Sequence, residues 1–172
     1  MAATVGQSGD ESLISIQLEN ADATDAFGAT LAFTRPGHGV LHLRGDLGAG
    51  KSTLARAMLR ALGVTGAIRS PTYTLVERYP LPAGGEAWHL DLYRIADAGE
   101  LEFLGLDGDE ATLWLIEWPE RGRGALPTAD LHVELAIEGD GRRAVVTPVT
   151  EVGRGWLDRL QAVNRAGVAI DS

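Results

Sequence analysis

Gly45-Asp46-Leu47-Gly48-Ala49-Gly50-Lys51-Ser52 is the stretch that decides how the rest of the chain is read. It fits the pattern G-x-x-x-x-G-K-[ST]. Its glycines let the backbone turn tightly enough for several N–H groups to converge on one anion. The flanks agree. Val40–Leu43 is a short apolar run of buried-strand type, and Lys51–Leu62 carries Leu54, Met58 and Leu62 at helical spacing, with Gly63 to end it. A strand, a glycine-rich loop and a helix in that order place the positive end of the helix behind the loop. Phosphate binding is the chemistry that needs this arrangement. Leu47, Gly48, Ala49 and Gly50 would wrap the phosphates, Lys51 would reach the β- and γ-phosphates, Ser52 would ligate magnesium and Thr53 would lie near the α-phosphate. The expected cofactors are therefore ATP or ADP with Mg2+. Lys51 is the only lysine, against 14 arginines. A lysine is retained where the bulkier planar fork of arginine fits poorly.

Outward from the loop, strands alternate with helices. Ser12–Leu18 alternates apolar and polar residues as a strand does, and Asn20 is placed to cap a helix running to about Phe33. Arg35–Gly39 breaks the chain. Thr74–Tyr79 and Ala87–Tyr93 read as a strand pair joined by Pro80–Gly85. Asp97 would cap a short helix through Leu104, and Leu113–Trp118 is a second buried strand. Ala129–Ile137 and Arg143–Thr147 suggest a hairpin around Gly139–Gly141, and a helix follows from about Val152. The pattern predicts a single α/β P-loop NTPase domain over 12–149, with a mixed, mostly parallel sheet flanked by helices. A flexible stretch (1–11) would precede it, and a C-terminal helix and tail (150–172) would follow.

Three further clusters bear on the chemistry. Leu113-Trp114-Leu115-Ile116-Glu117 ends an apolar strand on a carboxylate. A lone strand-end acid is usually solvated. Beside a phosphate loop it is the expected second ligand for magnesium. In His89-Leu90-Asp91-Leu92-Tyr93-Arg94, His89, Asp91 and Tyr93 share one strand face and the two leucines the other. That polar face is either a solvated surface with an Asp91–Arg94 pair or part of a site; the spacing leaves both open. Ser70-Pro71-Thr72-Tyr73-Thr74 is either an ordinary hydroxyl-rich loop or one that senses the γ-phosphate through Thr72, as a switch does. His38, His42 and His132 lack metal-ligand spacing, and Arg121, Arg123, Arg142 and Arg143 read as solvated loop residues.

Composition bounds the alternatives. With 172 residues, 45% of them hydrophobic, the chain suits one compact domain. It has no cysteine, which excludes disulfides and thiolate metal sites. A net charge of −9 argues against direct nucleic-acid binding through bulk electrostatics. The sequence shows neither a long apolar run nor a basic-then-apolar start, so no membrane association is expected and a cytoplasmic location is the default. A GTPase is disfavoured because its guanine-reading N-K-x-D motif needs a second lysine. A small-molecule kinase is the main alternative, but no arginine-rich lid is visible. A non-hydrolysing nucleotide-dependent scaffold is the third reading.

Taken as a series, these motifs resemble the TsaE (formerly YjeE) family of bacterial tRNA threonylcarbamoyladenosine biosynthesis ATPases. The resemblance rests on Gly45–Thr53, Ser70–Glu77, His89–Arg94, Glu100–Gly105 and Leu115–Glu120, in the family's order, over roughly Ser12–Thr147. It implies a small ATPase that joins two partner proteins, TsaB and TsaD, and meets tRNA only through that complex. Hydrolysis would reset the partners between rounds of modification of the adenosine beside the anticodon. Ser52 and Glu117 would hold magnesium, and Gly48–Ser52 the phosphates. Asp91 would be catalytic with Glu117 and Thr72, Trp118 would contact the nucleotide, and Asn20–Thr24 would lie by the adenine. Ser52 stands where the family often has threonine, and Asp97-Ala98-Gly99 lacks the usual proline.

Overall fold

β3 (Gly39–Arg44) is the axis of the fold. In the computed structural model, which describes residues 3–4, 13–107 and 109–165, its residues 39–43 are buried. The apolar run therefore behaves as a strand covered on both faces. β6 (Ala111–Glu117) and β7 (Leu131–Glu138) flank it in parallel, and β5 (Glu86–Asp91) runs parallel to β6. These four parallel strands form the centre. Antiparallel strands extend both edges: β4 (Val76–Pro80) on β5 at one side; β8 (Gly141–Pro148), β2 (Ile14–Leu18) and β1 (Ala3–Thr4) beyond β7 at the other. The sheet order is β1-β2-β8-β7-β3-β6-β5-β4.

Helices α1 (Ala21–Phe33), α2 (Lys51–Ala61) and α3 (Glu151–Arg165) cover one face. Phe27 and Leu31 of α1, Leu54 and Met58 of α2, and Trp156 and Leu160 of α3 share one core with Leu41, Leu43, Leu115 and Val133 of the sheet. Trp156 Nε1 donates to Leu31 O at 3.1 Å, so its one polar atom is satisfied inside that core. The helix expected within 150–172 thus completes the main core, and the residues after 165 lie outside the described ones. The opposite face is covered over β5 and β6, where Trp88, Leu90, Trp114 and Ile116 pack under the 3-10 segment Ala98–Leu104.

Several boundaries differ from the sequence reading for local reasons. β4 begins at Val76 rather than Thr74, because Leu75 turns back (φ 68°) and its N–H donates to Pro71 O. β5 ends at Asp91 rather than Tyr93, because the Asp91 carboxylate accepts the Tyr93 N–H at 3.0 Å and turns the chain. The segment after Asp97 is 3-10 rather than α; Asp97 does cap it, accepting from Gly99 N at 2.9 Å. Asn20 caps α1 as expected, accepting from Ala23 N at 2.9 Å. Of the stretch expected to be loose, 1–11, only Ala3–Thr4 lie among the described residues, paired with β2.

Candidate functional site

The site assembles where β3, β5 and β6 end. Side chains on the helix-facing side of these strands are Leu41 and Leu43 on β3, Leu113 and Leu115 on β6, and Ala87 on β5. The next positions on that side are His89, Asp91 and Glu117, which are buried among them at 0%, 6% and 2% exposure. Buried charge is costly unless partnered. The partners come from the helix that starts opposite. Ser52 Oγ donates to Glu117, 2.8 Å from Oε1 and 3.0 Å from Oε2. His89 Nε2 lies 2.6 Å from Glu117 Oε2. An ionised carboxylate offers only acceptors, so Nε2 carries the ring proton toward Glu117. His89 Nδ1 is then a buried acceptor and has no partner.

The loop Gly45–Gly50 closes over this end. Gly45 and Gly50 have φ of 142° and 103°, backbone that L side chains rarely adopt, and a Cβ on Gly45 would strike Leu135 O. Lys51 leads α2 and is 5% exposed. Its ammonium donates to Gly45 O at 2.6 Å and Asp46 O at 2.9 Å and sits 4.5 Å from the centre of the Trp118 ring. Burial lowers its pKa, against the pull of Glu117, Asp91, Glu120 and Asp46 in the other direction. Trp118 is held over the lysine by a left-handed backbone (φ 55°) directly after Glu117. For a bulky residue that conformation is strained, and strain of this kind concentrates at working sites.

Residues expected to act together do meet here. Leu47, Gly48, Gly50, Lys51, Ser52, Thr53, Thr72, Asp91, Glu117 and Trp118 line one cavity of about 370 Å3. Ala49 is buried in the loop and does not line it. Thr72 Oγ1 donates to Asp91 Oδ2 at 3.4 Å, which brings the hydroxyl loop to the end of β5. Asp91 and Glu117 are register neighbours on β5 and β6. A second cavity of about 280 Å3 shares Gly50, Thr53 and Arg142 and is also lined by Asn20, Ala21 and Thr24.

Two residues were not anticipated. Arg142 lies in β8 rather than in a solvated loop. It donates through Nε to Ala49 O at 3.2 Å and through Nη2 to Gly48 O at 3.1 Å, strapping the glycine loop from β8, which β7 separates from β3. A sequence signal existed: Arg142, Ala144 and Val146 alternate, and the last two face the core. His89 is the second, since spacing alone left its face open. Asp91 pairs with Thr72 and Tyr93, while Arg94 stacks on Tyr73 at 4.4 Å, so the Asp91–Arg94 surface pair is not formed.

A strand, a glycine loop with lysine and serine at the head of a helix, and a strand-end carboxylate in contact with that serine define a P-loop α/β domain. The chain belongs to the family described as threonylcarbamoyl adenosine biosynthesis protein TsaE, whose profile matches residues 18–145. It is 46% identical to a tRNA threonylcarbamoyladenosine biosynthesis protein TsaE of Haemophilus influenzae, over 69% of this chain and 75% of that protein. It is 37% identical to the Bacillus subtilis protein of the same name, over 79% and 84% of the two chains. Among solved structures, the Bacillus subtilis YdiB crystal structure superposes with a TM-score of 0.71 at 27% identity, covering 91% of this chain and 99% of that one. No helix among the described residues is long and apolar enough to cross a membrane.

Proposed function

We propose that this chain is a magnesium-dependent ATPase serving tRNA threonylcarbamoyladenosine biosynthesis, its hydrolysis resetting a TsaB–TsaD complex between turnovers. The observation that carries the reading is the Ser52–Glu117 contact, 2.8 Å, held by His89 at the foot of the phosphate loop. A hydroxyl and a carboxylate brought together this way are a hard, oxygen-only donor pair, suited to hard divalent cations such as Mg2+. Ser52 and Glu117 would hold that ion, which would neutralise charge on the β- and γ-phosphates. Lys51 would exchange the carbonyls of Gly45 and Asp46 for phosphate oxygens. The loop N–H groups, kept in place by Arg142, would bind the remainder. Asn20–Thr24, along the adjoining cavity, would take the base. ATP is favoured over GTP because the chain, with one lysine, cannot form the N-K-x-D guanine reader.

For hydrolysis, Asp91 is the acid placed to orient a water and accept its proton, with Thr72 beside it on a loop that the γ-phosphate would order. Among the described residues that line this cavity, Arg94 stacks on Tyr73 at 4.4 Å and Arg142 donates to loop carbonyls, so both arginines already have partners and neither reads as an arginine finger. Such a group is worth about 10³ or more in rate. Slow turnover by the chain alone and faster turnover with partners is the expected behaviour. The test is steady-state phosphate release with and without the TsaB and TsaD homologues, alongside multiple-turnover modification of tRNA. Stimulation by the partners, and its loss in Asp91→Ala with nucleotide binding retained, is the predicted result. A rate that partners leave unchanged, with tRNA modified over many cycles in the absence of this chain, would contradict it. Phosphorylation of a metabolite in the same assay would point instead to a kinase.

A further inference from the structure

The face of β3 and β7 turned away from the helices carries a second cluster of polar groups. His42 and Arg44 are alternate residues on β3, and His132 is the register partner of His42 on β7. The two imidazoles stack with centroids 5.5 Å apart and planes 9° from parallel. The crossover from β6 to β7, residues 118–130, passes over them and encloses a cavity of about 240 Å3 lined by His42, Arg44, His132, Arg123 and Glu120. His42 is 9% exposed, yet its Nε2 has no partner; Arg44 Nε is also buried and unpartnered. Two orphaned polar atoms on alternate residues of one strand, lining one cavity, require an explanation.

We propose that this cavity binds inorganic phosphate in its monohydrogen form. The Pro127 backbone favours a proton on the His42 ring from the crossover side, and Nε2 is unpaired; we place the ring proton on Nδ1, which leaves Nε2 a bare acceptor. A ligand that completes the cavity must therefore offer acceptors to two guanidinium groups and a donor to one imidazole. Monohydrogen phosphate has both: charged oxygens that match the planar fork of arginine, and one P–OH. Sulfate has the oxygens without the proton. A phosphomonoester at neutral pH is largely the unprotonated dianion. A metal ion is disfavoured, since no group of three metal-ligating His or carboxylate side chains exists among the described residues.

The surrounding charges are consistent with an anion. Arg44 and Arg123 are permanent cations. Burial, then the His132 ring, depress His42 to about 4, and burial lowers His132 as well, so both rings are neutral near pH 7 and supply shape and hydrogen bonds rather than charge. The acids nearby are Glu120 on the crossover, Glu134 beside Arg44 on β7, and Asp130. Asp130 is occupied: its Oδ2 accepts from Val40 N at 2.8 Å and its Oδ1 from Thr150 Oγ1 at 2.6 Å. The crossover that roofs this cavity begins at Trp118, so an occupant here adjoins the segment that covers Lys51.

The proposal is independent of the hydrolysis reading. Inorganic phosphate is titrated into the full chain with Mg·ADP present, and again into Lys51→Ala, so that phosphate in the glycine loop cannot account for the signal. The ring resonances of His42 and His132 are followed by NMR. Saturable shifts of both rings are expected, with binding weakened about tenfold in Arg123→Ala, an exposed position whose loss spares the fold. At about pH 7.5, sulfate and glycerol phosphate should bind more weakly than phosphate; near pH 5.5, where the ester regains its proton, glycerol phosphate should approach phosphate while sulfate does not. Shifts that fail to saturate, an unchanged affinity in Arg123→Ala, or sulfate binding as tightly as phosphate would each overturn the assignment.

Discussion

His89 and Glu117 sit 2.6 Å apart with side chains 0% and 3% exposed; Arg143 and Glu138, on the β7–β8 hairpin, sit 2.7 Å apart with side chains 49% and 42% exposed. The distances are nearly equal and the energetics are not. At the hairpin, water solvates both charges whether or not they touch, and such a pair contributes little. At the foot of the phosphate loop no water replaces a lost partner, so the carboxylate depends on Ser52 and His89. The two regions teach the same lesson from opposite sides: where both faces of the sheet are covered, a charged residue needs partners built into the fold, and where one face is wet it does not. In the folded chain the wing β2-β8-β7 keeps its polar residues Ser15, Gln17 and Arg143 on the open side, while Ile16, Val133 and Val146 fill the core.

Substitutions should separate the regions in a definite order of effect. His89→Ala should cost about 1.5–3 kcal/mol of stability by removing a buried hydrogen bond to the Glu117 carboxylate, read as a lowered midpoint in denaturant unfolding. An unchanged midpoint would place His89 with the surface pair. Lys51→Ala should weaken ATP binding about a hundredfold or more, since the phosphates lose the one ammonium in the cavity; calorimetry decides, and near-normal affinity would remove the phosphate-loop assignment. Arg142→Ala should cost roughly 1–2 kcal/mol, shared between stability and nucleotide affinity, because two loop carbonyls lose a charged donor but remain near solvent. An effect confined to stability would mean the strap does not reach the ligand. Arg143→Ala should leave the melting temperature and nucleotide affinity unchanged within error, although its guanidinium holds the Glu138 carboxyl below its usual pKa.

The same contrast explains what could be read from the sequence. The phosphate loop was legible because its chemistry is local: eight consecutive residues carry the turn, the lysine and the hydroxyl. Glu117 was legible as the end of an apolar strand. The central parallel sheet followed from strands alternating with helices. What escaped depended on pairing between distant segments. His89 gains its role only when β5 lies beside β6, and its partner is 28 residues away. Arg142 is 94 residues from the carbonyl it binds, and its neighbour Arg143, pointing the other way into solvent, made the pair look like loop surface. The 3-10 form of Ala98–Leu104, the late start of β4 and the early end of β5 were set by single turns, such as the positive φ of Leu75, that composition does not encode.

The central claim is that Ser52 and Glu117 hold a divalent ion at the foot of the phosphate loop, with Glu117 buried for that purpose. Its most direct test is a calorimetric titration of ATP into wild type and Glu117→Gln, each with Mg2+ and with chelator. Glutamine keeps the size of the side chain and an acceptor for Ser52, so the fold and the loop should persist. Wild type should bind ATP more tightly with Mg2+ than without; Glu117→Gln should match wild type in chelator and gain little from Mg2+. An equal gain from Mg2+ in both proteins would contradict the assignment and leave the buried carboxylate without its proposed role.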